Sequence, residues 1–152
     1  MFLTRVAIRN VRSMESMDLD FRSSDGSPRR WTLLLGENGC GKSSALRAIA
    51  LLLAGSEALP DLLGEPEAWI RNGAQQCRIE GTLATAKGEE REIALEIRRG
   101  DGIRQIFERN RSSLDALDAA IAHTDRNYFV LGYGVSRRPT AAQSRSVVAD
   151  ER

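Results

Sequence analysis

Leu33-Leu34-Leu35-Gly36-Glu37-Asn38-Gly39-Cys40-Gly41-Lys42-Ser43-Ser44 decides how the rest of the chain is read. An apolar run (Trp31, Leu33, Leu34, Leu35) stops at Gly36, and Gly36 to Ser43 fit G-x-x-x-x-G-K-S/T, the pattern of a phosphate-binding loop. Each residue type has a physical reason. Gly36, Gly39 and Gly41 allow backbone conformations that side chains forbid and bring N–H groups within reach of phosphate oxygens. A helix starting directly after the loop points its free N–H groups and its dipole at the same oxygens. Lys42 is placed to reach the β- and γ-phosphates of a nucleotide, and the Ser43 hydroxyl to ligate Mg²⁺. A merely structural turn has no use for three glycines together with a lysine and two serines.

The flanks have the context this loop needs. Consecutive apolar residues over Arg30–Leu35 predict a central strand covered on both faces, as in a parallel sheet. Ala45, Leu46, Ile49, Leu52 and Leu53 fall on one side of a helix running from about Lys42 to Leu53, closed by Gly55. Further upstream, Phe2–Val11 alternates apolar Phe2, Val6 and Ile8 with Arg5, Arg9 and Asn10, which predicts a half-buried strand. Met17, Leu19 and Phe21 alternate with Asp18 and Asp20 in a second strand, and Asp25-Gly26 supplies turn chemistry before Arg30.

Downstream, Pro60, Gly64, Pro66 and Gly73 punctuate residues 56–74, which read as irregular. Period-two alternation returns with Cys77, Ile79, Gly81 and Leu83, then with Ile93, Leu95 and Ile97 after a turn at Ala86–Glu89. Ile103–Arg109 reads as a third strand of this antiparallel meander. Its outward positions (Arg78, Glu80, Glu92, Glu96, Arg98) read as a solvated face. Ser112 or Ser113 is placed to cap a helix carrying Leu114, Leu117 and Ile121, with His123 at its end. Tyr128–Leu131 reads as another strand, and residues 139–152 as a linker or frayed tail.

Length and composition fit one domain with a real core: 152 residues and a net charge of +1, which gives no global field for nucleic acid or membrane. No stretch approaches the roughly 20 apolar residues of a membrane span. The start, MFLTRVAIRN, has arginines inside its apolar stretch and no signal-peptide core. Cys40 and Cys77 lack metal-ligand spacing. These features lead to the expectation of a soluble, cytoplasmic protein.

Other signals narrow the type of phosphate loop. The N/T-K-x-D motif that reads guanine is missing, and Asp61-Leu62-Leu63-Gly64 fits D-x-x-G by letters without the apolar strand before it. Hydrolysis needs a second acid at a strand end. The run Val147-Val148-Ala149-Asp150-Glu151 follows a polar segment too short for the crossover that a parallel strand needs, so no catalytic residue is assigned.

Three places resemble the ABC-type ATPase heads of the SMC/RecF class, which includes the double-strand-break repair head and the overcoming-lysogenization-defect nucleases. Val6-Ala7-Ile8-Arg9-Asn10-Val11-Arg12-Ser13 is similar to the opening strand of that class, with Val11 where an aromatic is usual. Leu35–Ser44 resembles its G-x-N-G-x-G-K-S loop. Trp69-Ile70-Arg71-Asn72-Gly73-Ala74 is similar to the I-R-x-G stretch that leads into its antiparallel subdomain. The resemblance implies an α/β fold of the P-loop NTPase kind: a mixed sheet around the loop plus an antiparallel β-subdomain over about 75–109. It implies that Arg12, Ser13 and Arg71 join Gly36, Asn38, Gly39, Cys40, Gly41, Lys42, Ser43 and Ser44 around ATP and Mg²⁺, with Ser43 as the metal ligand.

It also implies an N-terminal lobe over residues 1–138 of an incomplete head. The signature motif, the Walker-B acid pair and the switch histidine of the C-terminal lobe are not recognisable, and no glutamine ends the Tyr128–Leu131 strand where the class has its Q-loop. The implied partners are that C-terminal lobe, a second head that dimerises around ATP, and DNA through attached regions, with no membrane. Two rival readings are a nucleotide-gated binding module without turnover and a transporter nucleotide-binding domain.

Overall fold

Alternation of apolar and charged residues makes β1 (Phe2–Val11) the hub of the fold, with Val6 and Ile8 buried on one face, Arg5 and Arg9 on the other, and Val11 buried at its end. A computed structural model describes residues 1–84 and 89–122. Strand β2 (Met14–Asp20) pairs antiparallel with β1 on one side, with Ile8 opposite Met17. Strand β3 (Gln76–Ala84) pairs antiparallel on the other, with Ile8 opposite Ile79, and β4 (Glu90–Arg98) lies outside it. The order β2-β1-β3-β4 is a single sheet in which every pairing among the described residues is antiparallel.

Helix α1 (Lys42–Leu52) lies across β1 and β3 on the apolar face. Its buried residues are Ala45, Ala48, Leu51 and Leu52, while Leu46 is exposed, so the buried stripe is rotated from the one expected. Close approach explains the rotation. A Cβ on Gly81 would stand 2.7 Å from Leu52 Cδ2, so a missing side chain in β3 admits the helix, which turns its alanines to the sheet. Leu53 ends α1, and Gly55 opens the next helix instead of closing this one.

Residues 56–74 are more ordered than their punctuation suggests. Helix α2 (Gly55–Leu63) carries Pro60 internally, and a 3₁₀ turn covers Pro66–Trp69. Asp61 and Leu62 therefore sit in a helix, outside any strand-end motif. Two further expectations are corrected. Ile103–Arg109 is a helix (α3), not a strand; with Ile106 its one buried residue, a seven-residue piece is too short for periodicity to separate the two. Helix α4 (Arg111–Ala122) is not capped by Ser113, whose Oγ instead accepts the Ala94 N–H at 2.9 Å.

That hydrogen bond belongs to a device that closes the β4 edge. Asn110 Oδ1 accepts the Glu96 N–H at 2.7 Å, and Asn110 Nδ2 donates to Glu96 O and Ile106 O, both at 2.8 Å. Asn110 thus stands where a neighbouring strand would, satisfying an edge that would otherwise template aggregation. Helix α4 is tied to α2 as well, since Asp118 Oδ1 accepts the Ser56 N–H at 2.8 Å.

The outward face of the sheet is charged as expected, but Glu96 on it is buried, held by Arg98 at 2.7 Å and Arg78 at 3.1 Å. Burial alone would raise its pKa. The hydrogen bonds and charges of Arg98 and Arg78 outweigh that and hold it below the usual glutamate range. A shallow groove of about 280 Å³ on this face mixes Arg5, Arg9 and Arg78 with Glu80 and Glu92.

The largest correction concerns Arg30–Leu35. It runs toward the loop without strand pairing, and Trp31 (91% exposed), Leu33 (78%) and Leu35 (81%) project into solvent. An apolar run forms a central strand only when a neighbour pairs with it, and no described strand lies alongside. His123, the expected Tyr128–Leu131 strand, the Q-loop position, residues 86–88 of the expected turn and the 139–152 tail lie outside the described residues.

Candidate nucleotide site

The loop leads into α1 through Gly41, whose φ of +95° suits glycine and whose missing Cβ matters equally. A Cβ there would stand 2.8 Å from Met14 Cγ, so the start of β2 is seated directly on the loop–helix junction. The first helical hydrogen bond is Ala45 N–H to Gly41 O at 2.8 Å. The N–H groups of Lys42, Ser43 and Ser44 precede it and have no intrahelical partner, which follows from helix geometry. No acidic residue occupies the first turn, so the positive end of the helix dipole is uncompensated.

Lys42 folds back over the loop. Its Nζ donates to Gly36 O and to Glu37 O, both at 2.6 Å, and lies 3.6 Å from Cys40 Sγ. The Cys40 N–H closes a turn onto Glu37 O at 3.3 Å. A cation held at the loop beside the free N–H groups that open α1 suits an anion, which would draw Lys42 off the carbonyls, and Gly36, Asn38, Gly39, Cys40 and Ser43 are exposed around it. Ser43, exposed in the first turn, fits the role of a hydroxyl ligand to Mg²⁺. Cys40 and Cys77 are free thiols; burial pushes the Cys77 thiol up to about 12.

The structure also brings together two segments that sequence resemblance had placed near the nucleotide. Val11 forms an antiparallel bridge with Ile70. The Arg12 N–H donates to Trp69 O and the Arg71 N–H to Asn10 O, each at 2.8 Å. Arg12 and Ser13 occupy the tight β1–β2 turn beside Met14, and Arg71 Nη2 lies 3.4 Å from Glu15 Oε2. Asn10 and Arg12 both have φ of +53°, which is unusual for residues with a side chain. Met14 and Trp69 are contributors that sequence reasoning missed. No periodicity or motif marks Met14 as the loop's neighbour, and Trp69 was visible only as part of a resemblance.

Sheet, loop and helix together have the form of the N-terminal lobe of an SMC/RecF-like ABC-type ATPase head. The family model described as an AAA domain matches residues 5–127, and the chain belongs to that family. It is 50% identical over 84 residues to the Septu protein PtuA of Bacillus mycoides (strain KBAB4), covering 55% of this chain and 12% of that protein. It is 31% identical over 102 residues to the DNA double-strand break repair Rad50 ATPase of Methanopyrus kandleri (strain AV19), covering 67% of this chain and 10% of the relative. The DNA replication and repair protein RecF of Myxococcus xanthus (strain DK1622) is 38% identical over 76 residues, which is 50% of this chain and 18% of that one.

These curated relatives are far longer, and the chain spans between 10% and 18% of their length. Two solved structures share the fold. The recombination mediator RecF with ATP superposes with a TM-score of 0.50 at 21% identity, over 64% of this chain and 24% of that chain. A structure from work on ATP-driven dimerization and DNA stimulated activation of SMC ATPases has a TM-score of 0.56 at 18% identity, over 87% of both chains.

Proposed function

We propose that this chain binds ATP with Mg²⁺ as the N-terminal lobe of an SMC/RecF-like head in the cytoplasm. The observation that carries the reading is the Lys42 ammonium drawn into the loop carbonyls at the acid-free start of α1. In this reading the loop amides and Lys42 bind the phosphates, and Arg12, Ser13 and Arg71 flank them from the β1–β2 turn. Asn38, Gly39, Cys40, Gly41 and Ser44 shape the cradle. Mg²⁺, held by the Ser43 hydroxyl and the nucleotide itself, neutralises phosphate charge.

The apolar side chains of Trp31, Leu33 and Leu35 are the surface that a C-terminal lobe of the same head covers. The completed head pairs with a second one around ATP and couples hydrolysis to DNA repair, DNA maintenance or anti-phage defence. Among the described residues no helix is long and apolar enough to cross a membrane.

The test is a titration of a fluorescent ATP analogue, with Mg²⁺, into the wild-type chain and Lys42→Ala. Charge-assisted contacts contribute about 1.5–3 kcal/mol each, so the variant is expected to bind about tenfold more weakly or worse. Equal affinities would sink the assignment.

A further inference from the structure

Arg12 combines features that rarely coincide at a surface arginine. Its backbone sits at φ +53°, its Nε is buried with no hydrogen-bond partner among the described residues, and its guanidinium carbon lies 4.8 Å from the centroid of the Trp69 ring. Left-handed backbone in a residue with a Cβ costs free energy, and such strain persists where the surroundings impose it. Here the imposing element is identifiable. Trp69 O accepts the Arg12 N–H, the Val11–Ile70 bridge lies between, and the Trp69 ring is itself anchored by donation from Nε1 to Leu63 O at 2.7 Å. Trp69 is buried, so both its edge and its face are committed.

The β1–β2 turn that carries Arg12 adjoins the loop through Met14. Arg12 precedes by two residues the Met14 side chain that rests on Gly41. A cation stacked on a fixed ring keeps its charge while losing rotamer freedom, and it keeps N–H donors free for an anion in the plane of the guanidinium. We propose that Trp69 is a positioning residue for nucleotide binding: its ring holds Arg12 in the one orientation from which the guanidinium meets phosphate oxygens at the loop. This rests on nucleotide occupying the loop as proposed above. It makes the 3₁₀ turn at Pro66–Trp69 part of the binding machinery, so that displacement of that turn weakens nucleotide binding without touching the loop.

The test uses the full 152-residue chain and a fluorescent ATP analogue with Mg²⁺. Arg12→Gln and Trp69→Leu are each expected to weaken binding about tenfold, and Trp69→Phe, which keeps an aromatic face, to stay within a few-fold of wild type. The double variant Arg12→Gln/Trp69→Leu is expected to be no weaker than Arg12→Gln alone, because both changes break one device. Multiplying losses, or a Trp69→Leu chain that melts earlier yet binds as wild type, would overturn the proposal.

A second measurement stands if Trp69→Leu does not fold. In a Trp31→Phe chain Trp69 is the sole tryptophan, and its emission is expected to shift on nucleotide addition and to stop shifting when Arg12→Gln is added. An emission unchanged by nucleotide, or a shift that survives Arg12→Gln, overturns the proposal. Lys42→Ala separates this from the underlying reading. Binding indifferent to Lys42 defeats nucleotide binding at the loop itself, whereas Lys42-dependent binding that ignores Arg12 and Trp69 defeats only the positioning role.

Discussion

Two cysteines in different surroundings report on the loop and the core separately. Cys40 is exposed at the loop and close to Lys42, whereas Cys77 is buried in β3 with its thiol pushed up to about 12 by desolvation. A thiol reagent at neutral pH is therefore expected to modify Cys40 rapidly and Cys77 only at the rate of unfolding. Saturating ATP with Mg²⁺ is expected to slow the fast phase at least several-fold, since bound phosphates would cover the loop that carries Cys40. A fast phase indifferent to nucleotide, measured by stopped-flow absorbance, would count against the loop as the binding site. At this scale the sequence was most informative where one residue type is chemically compulsory. Gly41 and Lys42 were readable for that reason. The left-handed Arg12 was not, because nothing local to it demands that backbone; the demand comes from Trp69, remote in the chain.

Among the elements, β4 depends on what covers its edge and its charged face. Asn110→Ala strips the partners from the Glu96 N–H and C=O in a buried setting, where an unsatisfied polar group costs about 1–3 kcal/mol. Urea unfolding is expected to show a loss of about 2 kcal/mol at unchanged m-value, and a variant as stable as wild type would refute the edge-closing role. Glu96 gives a pH signature of opposite origin. Its folded pKa is depressed by Arg98 and Arg78, so its stabilising contribution is complete above the unfolded value of about 4.3 and is lost as pH falls through the lower folded value. Glu96→Gln is expected to melt earlier than wild type at pH 7, with the gap closing toward pH 3. A gap that widened on acidification would reverse the assigned sign.

These elements also show what periodicity can reveal. β1, β3 and β4 were legible because alternation is imposed by a sheet with one covered and one charged face. Ile103–Arg109 was not, since a single buried isoleucine in a short segment fits either period. Helix α2 was hidden by Pro60, whose usual meaning as a breaker is overridden by packing of α2 against α4.

At the scale of the whole molecule, binding a nucleotide and turning it over make different demands on the loop. Attack on the γ-phosphate needs a positioned water and a base or orienting residue, besides charge neutralisation. Lys42, Ser43 and the loop amides supply neutralisation, and the half-head reading assigns the water-positioning group to the other lobe. The apolar side chains of Trp31, Leu33 and Leu35 are exposed next to the loop, with no described strand beside them. The proposed half-head reading leads to one expectation. The 152-residue chain binds ATP but turns it over several powers of ten more slowly than it does once a C-terminal lobe is supplied. Replacing Trp31, Leu33 and Leu35 with serine should leave nucleotide affinity within a few-fold but abolish the gain from the added lobe, because the covering contact is removed while the cradle is kept. Steady-state phosphate release, with and without the lobe, reads both effects. Fast Lys42-dependent hydrolysis by the chain alone would instead place the missing acid within these residues, with Asp150 and Glu151 the first to be replaced.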